Sequence, residues 1–316
     1  MKKITAGIHH ITAIVGHPQE NVDFYAGILG LRLVKQTVNF DDPNTYHFYF
    51  GDADAKPGTI ITFFPWPNAY QGIIGDGQVG LTTYVIPHDA MDFWEERLQR
   101  FGIISRKHLR FGETYLQFKD FHGLQLELVE RSDGEVNTWE FDDITSQTAI
   151  KGFGGAVLFS SEPYRTTNVL ENVMGLKKVA EEGDFIRFKS TGEIGNIVDV
   201  KMTSIGRGQM GVGTVHHIAW RAKDKIDQLE WQKLVRESGH GVTEVRDRNY
   251  FDAIYFRDYG GILHEIATDV PGFSHDETPE TMGEKLMLPT EYEHMRENLE
   301  KNLIPFEVRI PDAVVQ

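Results

Sequence analysis

The 316 residues contain no cysteine. Disulfides, zinc–thiolate sites, iron–sulfur clusters and a cysteine nucleophile are therefore excluded. No apolar run approaches the roughly 20 residues that span a bilayer, so no membrane partner is expected. Positive charge is scarce, with 32 Lys and Arg against 47 Asp and Glu for a net charge of −15. A nucleic-acid binder needs a basic surface to neutralise phosphate, so no such partner is expected either. The opening M-K-K-I-T-A-G-I-H-H lacks the apolar core of a signal peptide, which makes cytoplasmic residence the expectation. Several catalytic signatures are missing as well. There is no phosphate-binding loop ending in G-K-S or G-K-T, and no serine in a nucleophile elbow. H-E-I-A-T at His264 lacks the second histidine of a zinc-protease helix. Two segments, G-D-G-Q-V-G (75–80) and G-R-G-Q-M-G (206–211), fit the dinucleotide pattern. Each leads into a strand-like run, so a phosphate would find no helix N-terminus, and both read as linkers.

What is present is the balance of a globular protein, 40% hydrophobic and 25% charged, with length for one large or two ordinary domains. A His-His pair occurs twice, in G-I-H-H-I-T (His9, His10) and in T-V-H-H-I-A (His216, His217). Each pair opens a short apolar run of strand character. Farther on, G-I-L-H-E-I places Glu265 in another such run. Two imidazoles and a carboxylate gathered by a fold can hold a divalent metal with positions left open, the usual ligand set of non-haem ferrous oxygenases.

The chain also repeats. F-Y-A-G-I-L-G-L-R-L-V (24–34) matches L-E-N-V-M-G-L-K-K-V (170–179) as a helix end, a glycine stop at Gly30 or Gly175, and a strand. Strand-like runs at 11–15 and 156–160 lie upstream, with Pro18 and Pro163 suited to a first helical turn. A second pair of copies follows. L-T-T-Y-V-I (81–86) matches V-H-H-I-A-W (215–220), charged helices are expected at 91–100 and 226–237, and K-D-F-H-G-L-Q-L-E-L (119–128) overlays R-D-Y-G-G-I-L-H-E-I (257–266). Glu127 thus overlays Glu265, Thr83 overlays His217 and Arg110 overlays Arg248. The expected divisions are 1–150 and 151–270, each a pair of strand–helix–three-strand units, and a tail at 271–316 with one helical pattern from Tyr292, Met295, Leu299 and Leu303.

Such paired units, with His near the first strand and Glu in the last, resemble the vicinal oxygen chelate superfamily of glyoxalases, extradiol dioxygenases and antibiotic-resistance proteins. H-H-I-T, Y-H-F-Y-F-G-D (46–52), H-H-I-A, D-R-N-Y-F (247–251) and G-F-S-H-D-E (272–277) narrow the resemblance to hydroquinone-type ring-cleaving dioxygenases. The resemblance implies an α+β fold of four βαβββ units paired into two half-barrel-like domains, plus the C-terminal tail. It implies an extradiol-type, Fe(II)-dependent enzyme that opens a hydroquinone-type ring with dioxygen, with Mn or Zn as substitutes in an isolated sample. It makes the second histidine of each pair the ligand, so that His10, His217 and Glu265 hold the metal. It also implies roles for His9, Thr12, His216, Arg248 and Tyr255. A histidine near neutrality can take the proton a ring hydroxyl loses on binding the metal, and Arg or Tyr can stabilise charge on reduced oxygen.

Quasi-symmetry predicts two cavities, one from the first and fourth units and one from the second and third. The second would gather Gly155, Thr83 and Glu127, where two of three ligand positions cannot serve, so Glu127 is read as structural. Lone strand histidines such as His47 and His122 are likewise read as hydrogen-bonded structural imidazoles. F-F-P-W-P-N-A-Y (63–70) is read as turn and core packing, with a wall for a ring as the alternative. Lyases of the superfamily add a second carboxylate from the partner unit's last strands, but no Asp or Glu occurs from 55 to 75, which favours an oxygenase. A metal-dependent lyase or thiol transferase, and a non-catalytic binder of aromatic ligands, are the rival readings. The protein is expected to act on a small aromatic substrate with dioxygen and to form a homo-oligomer.

Overall fold

The structure, a computed structural model, describes residues 3–314. Four units follow one another. The first holds β1 (Ile8–Val15), α1 (Pro18–Val22, continuing as a π-helix over Asp23–Ile28), β2 (Arg32–Asn39), β3 (Asp42–Gly51) and β4 (Ile60–Pro65). The second holds β5 (Gln78–Ile86), α2 (Met91–Arg100), β6 (Arg106–Arg110), β7 (Glu113–Lys119) and β8 (Gln125–Glu130). The third holds β9 (Gly152–Phe159), α3 (Pro163–Asn168, continuing as a π-helix over Val169–Val173), β10 (Lys177–Glu182), β11 (Phe185–Lys189) and β12 (Ile197–Lys201). The fourth holds β13 (Thr214–Ala222), α4 (Lys225–Glu237), β14 (Arg246–Asp247), β15 (Phe251–Arg257) and β16 (Leu263–Pro271).

The local signals act where the chemistry requires. Pro18 and Pro163 stand in the first turns of α1 and α3, where a missing N–H costs nothing. Gly30 and Gly175 end those helical stretches at φ of 64° and 79°, a conformation that penalises any side chain. The helices expected at 91–100 and 226–237 form as α2 and α4.

The strands build two eight-stranded sheets, each from units of both chain halves. The first runs β14-β15-β16-β13-β1-β4-β3-β2 and the second β10-β11-β12-β9-β5-β8-β7-β6. Units one and four thus share a sheet, as do units two and three. Their seams are antiparallel pairings, β1 with β13 and β5 with β9. The two glycine-rich segments run alongside each other before entering β5 and β13. The Asp76 N–H donates to the Gly206 carbonyl at 2.8 Å, and the Asp76 carboxylate accepts from the Ile205 and Gly206 amides at 3.1 Å. They are linkers that close on each other.

Strand alternation sorts the first sheet. Ile11, Phe48, Phe50, Ile61, Phe63, Ile218, Trp220, Ile254 and Ile266 belong to the main apolar core. The opposite face carries polar and small residues together with the aromatics Tyr49, Phe64 and Tyr255. The tail adds short 3-10 turns at Phe273–His275 and Thr290–Met295 and then α5 (Arg296–Asn302), so the expected helical pattern is 3-10 in its first half. Leu299 and Leu303 pack on Val38 of β2. Lys35, fully buried, holds the tail with ion pairs to Asp276 at 2.6 Å and Glu277 at 2.5 Å.

Candidate metal centre

The polar face of the first sheet follows from register. On β1, His10 and Thr12 are two residues apart and share a face. Thr12 stands opposite His217 of β13 and beside Thr62 of β4. Glu265 of β16 pairs with Ala219, two residues from His217, and Tyr255 of β15 pairs with Glu265. Thr62 pairs with Tyr49 of β3, which shares its face with His47. Six strands therefore present one set of side chains to one cavity.

At the centre, three atoms converge. His10 Nε2 lies 3.3 Å from His217 Nε2 and 3.6 Å from Glu265 Oε2, and His217 Nε2 lies 2.8 Å from the same oxygen. All three residues are buried. Neither oxygen of Glu265 receives a well-aligned hydrogen bond. A buried carboxylate in that state is costly unless a cation completes it. Two imidazole nitrogens and a carboxylate oxygen within 4.8 Å of one another form a donor set for a divalent ion. Burial pulls the His217 imidazole below its usual range and would raise the Glu265 carboxyl, but the flanking His10 and His217 hold Glu265 well below it. A neutral imidazole and an ionised carboxylate are the forms that bind metal.

The His-His pairs are not in regular strand. Between Ile8 and His10, β1 advances two residues while β13 advances one, and His9 is the extra residue. Between Thr12 and Ala13 the reverse holds, and His216 is the extra residue. Each is a β-bulge, which re-aims a side chain that alternation alone would send to the other face. As a result both members of each pair stay together. His9 Nδ1 lies 2.9 Å from His10 Nδ1, and His216 Nδ1 lies 2.8 Å from His217 Nδ1. Burial lowers the His9 pKa well below its usual value and the His216 pKa to about 3, so both rings are neutral at physiological pH.

Of the other residues named from the sequence, Arg248 and Tyr255 both line the cavity. Burial and then Glu265 hold the Tyr255 hydroxyl well above its usual range, so it keeps its proton. Arg248 also donates from Nη2 to Asp41 at 3.0 Å. Thr12 is buried on the same strand face as His10, bonded to the Thr62 hydroxyl at 2.8 Å.

His47, read from the sequence as a hydrogen-bonded structural imidazole, is hydrogen-bonded to Thr62 and Tyr49 but is also part of the site. It lines the cavity with Tyr49, Phe64 and Phe251. The usable signal was its own alternation, since His47 and Tyr49 must share the face opposite Phe48 and Phe50. His122 meets its expectation as a structural imidazole, accepting the His17 N–H at 3.2 Å with Glu20 beside it. The aromatic run divides. Phe64 joins the cavity wall, whereas the Trp66 indole N–H bonds outside it to Thr45 at 3.1 Å.

The centre of the second sheet is filled. Arg110 forks Glu127 at 3.1 and 2.8 Å and reaches Asp199 at 2.9 Å, and Thr83 donates to Glu127 at 3.0 Å. Every acceptor of that cluster is taken by the protein's own donors, which fits the structural reading of Glu127.

Similarity to known proteins places the family. The profile of the Glyoxalase/Bleomycin resistance protein/Dioxygenase superfamily matches residues 7–133. The chain is 67% identical over 309 residues, 98% of its length and 99% of the relative's, to "Putative ring-cleaving dioxygenase MhqO" of Bacillus subtilis. It is 32% identical over 305 residues, 93% of its length and 94% of the relative's, to the chlorohydroquinone/hydroquinone 1,2-dioxygenase of Sphingobium indicum. A crystal structure from Bacillus subtilis superposes with a TM-score of 0.97 at 66% identity, over 98% of this chain and all of that one. With a shared fold, full-length coverage and a buried two-histidine, one-carboxylate cluster at the seam of units one and four, this chain belongs to the glyoxalase/bleomycin resistance/dioxygenase superfamily and, within it, to the ring-cleaving dioxygenase group.

Proposed function

We propose that this protein is an Fe(II)-dependent dioxygenase that opens a hydroquinone-type ring between a hydroxylated carbon and its neighbour. One observation carries the reading: His10, His217 and Glu265 bring three donor atoms within 4.8 Å of one another in an aromatic-walled cavity, and neither carboxylate oxygen receives a well-aligned hydrogen bond from the protein. In this reading His10 and His217 bind the ion through Nε2, and Glu265 supplies the negative charge. Each Nδ1–H then donates to the neighbouring histidine, His9 or His216, which fixes ring orientation and tautomer. The chemistry that bound ferrous iron supplies is electron transfer between an aromatic ring and dioxygen.

The remaining roles belong to the chain. Phe64, Phe251 and Tyr49 form walls that suit a flat ring and keep water out. Tyr255 retains its proton and can donate it to an oxygen that gains negative charge beside Glu265. Arg248 adds a fixed positive charge on the same side, and Thr12 holds the strand face that carries His10. The place where a lyase would add a second carboxylate is Thr62, a neutral hydroxyl bonded to Thr12 and His47, which supports three protein ligands over four.

The test is anaerobic loading of the purified protein with Fe(II), followed by oxygen uptake with a panel of hydroquinones and catechols. Uptake coupled to loss of ring absorbance, fastest with hydroquinones, is the expected result. Turnover without oxygen in a Zn- or Mn-loaded sample would overturn the reading in favour of a lyase, and a clear preference for catechols would overturn the substrate class.

A further inference from the structure

The cavity wall on the β3 side holds a hydrogen-bonded chain that the roles above leave unused. The Tyr49 hydroxyl lies 2.9 Å from His47 Nδ1, and His47 Nε2 lies 2.8 Å from Thr62 Oγ1. Thr62 Oγ1 in turn lies 2.8 Å from Thr12 Oγ1. Tyr49, Thr62 and Thr12 are buried, and among the described residues no carboxylate, lysine or arginine hydrogen-bonds to any of the four side chains. The His47 ring is held between Tyr49 and Phe64, with ring centroids 4.1 and 4.5 Å away. It cannot turn away without losing both contacts and both hydrogen bonds.

An imidazole without charge has one N–H and one bare nitrogen, so it gives such a chain a direction. If Nδ1 accepts from Tyr49, Nε2–H donates to Thr62, Thr62 donates to Thr12, and the uncommitted hydroxyl proton is that of Thr12. If Nδ1–H donates to Tyr49, every bond reverses and the uncommitted proton is that of Tyr49. Thr12 lies two residues from His10 and opposite His217, while Tyr49 lines the cavity. His47 thus decides whether the free O–H stands at the strand that carries the ligand or at the wall that faces the ring. Burial, followed by His10 and His217, keeps its pKa well below the usual value, so the ring stays neutral and the chain keeps one direction at a time.

We propose that His47 is a positioning residue for ring opening, acting through the Tyr49–His47–Thr62–Thr12 chain to set which hydroxyl offers its proton to the reacting groups. The proposal rests on the dioxygenase reading for its catalytic consequence but not for its structural one, and the two are tested separately. Long-range proton–nitrogen NMR of the metal-free protein should show His47 as one neutral tautomer across the neutral pH range, with the other tautomer gaining population in Tyr49→Phe. A protonated ring, or a tautomer that does not respond to Tyr49→Phe, would overturn the proposal whatever the enzyme does.

In the iron-loaded protein, His47→Phe should retain iron and near-ultraviolet dichroism yet lower kcat/KM by about tenfold, the loss falling on kcat. The solvent deuterium isotope effect should shrink, and His47→Gln, which can both donate and accept, should recover part of the rate. Should His47→Phe fail to fold, Tyr49→Phe removes a single O–H and should show the same change in isotope effect. Unchanged kcat and isotope effect in both variants would defeat the catalytic role of His47. Absence of oxygen uptake in the wild-type protein would instead defeat the dioxygenase reading and leave the tautomer test to decide the chain.

Discussion

The two sheets have the same strands in the same order, and their centres solve opposite problems. In the second sheet, Glu127 and Asp199 are buried with Arg110 between them, and Arg187 binds the other side of Asp199 at 2.7 Å. In the first sheet the corresponding carboxylate, Glu265, has no arginine. Arg248, which overlays Arg110 in the repeat, is turned to Asp41 instead. The positions of Gly155 and Thr83 become His10 and His217, and the strand position of Asp199 becomes Thr62. One centre is neutralised by the protein's own cations. The other holds a buried carboxylate beside two imidazoles and, among the described residues, no Lys or Arg bonded to it. The difference teaches that the repeat fixes where a charge stands, while the residues across the seam decide whether the protein or an ion must balance it.

The largest expected effect is therefore confined to the first sheet. His10→Ala, His217→Ala or Glu265→Ala should each abolish stoichiometric iron binding and lower turnover by about a thousandfold or more, since two protein ligands hold a divalent ion poorly. The measurements are metal content after gel filtration and oxygen uptake. A variant that keeps both would separate that residue from the metal.

The second sheet should answer to stability instead. Glu127→Gln should leave iron content and most ring-cleaving activity intact. It should also lower the unfolding free energy, because Arg110 loses a buried partner; breaking such a pair typically costs about 3–5 kcal/mol. Acid should reveal the same pair. Burial would raise the Glu127 carboxyl, but hydrogen bonds from His108 and Arg110 hold it down at about 2, against an ordinary value of 4.5. A depressed carboxyl stabilises fully above its unfolded pKa, and that stability is lost as pH falls from about 4.5 toward 2. Urea midpoints in the wild-type protein should fall through that window, and Glu127→Gln should flatten the slope. Equal slopes would mean that other carboxylates, Glu113 among them, carry the acid sensitivity.

Why one centre was more legible than the other follows from what a sequence records. The repeat was readable because turns and caps are local: Gly30 and Gly175 at positive φ, Pro18 and Pro163 in first turns. The pairing of unit one with unit four, and of two with three, followed from overlaying the copies, and with it came the convergence of His10, His217 and Glu265. Three things were out of reach. The bulges at His9 and His216 are one-residue differences between partner strands, which neither strand encodes alone. For His47, alternation gave its face but not that β3 lies beside β4 in the sheet that holds His10, His217 and Glu265, which is a fact of strand order. The use of G-F-S-H-D-E lay in contacts with Lys35 and Tyr250, far away in the chain: Asp276 accepts from Lys35 at 2.6 Å and from the Tyr250 hydroxyl at 2.9 Å, while Phe273 stacks on Tyr250.

The bulged histidines give the smallest expected effect and the finest form of the comparison. Their counterparts in the second sheet are Gly154 and Thr82, and the Thr82 hydroxyl is buried without a partner, so nothing there orients a neighbour. In the first sheet His216 Nδ1 meets His217 Nδ1 at 2.8 Å. With burial holding the His216 pKa at about 3, it stays neutral across the working pH range, and in the metal-bound reading its Nδ1 accepts from the His217 Nδ1–H. Removing that acceptor leaves His217 Nε2, the proposed ligand atom, present and frees the ring to rotate. His216→Phe, which keeps ring volume and loses both nitrogens, should therefore still bind iron, but more weakly or with slower turnover by about 10–100-fold, the usual cost of losing a partner behind a ligand. His216→Asn can still offer an acceptor oxygen and should lie between the wild type and His216→Phe. Because the ring is neutral before and after, the pH dependence of iron binding should be the same in all three proteins. A complete loss of iron in His216→Phe would make His216 a ligand in its own right, and a rate equal to wild type would show that the bulge at this position serves the fold alone.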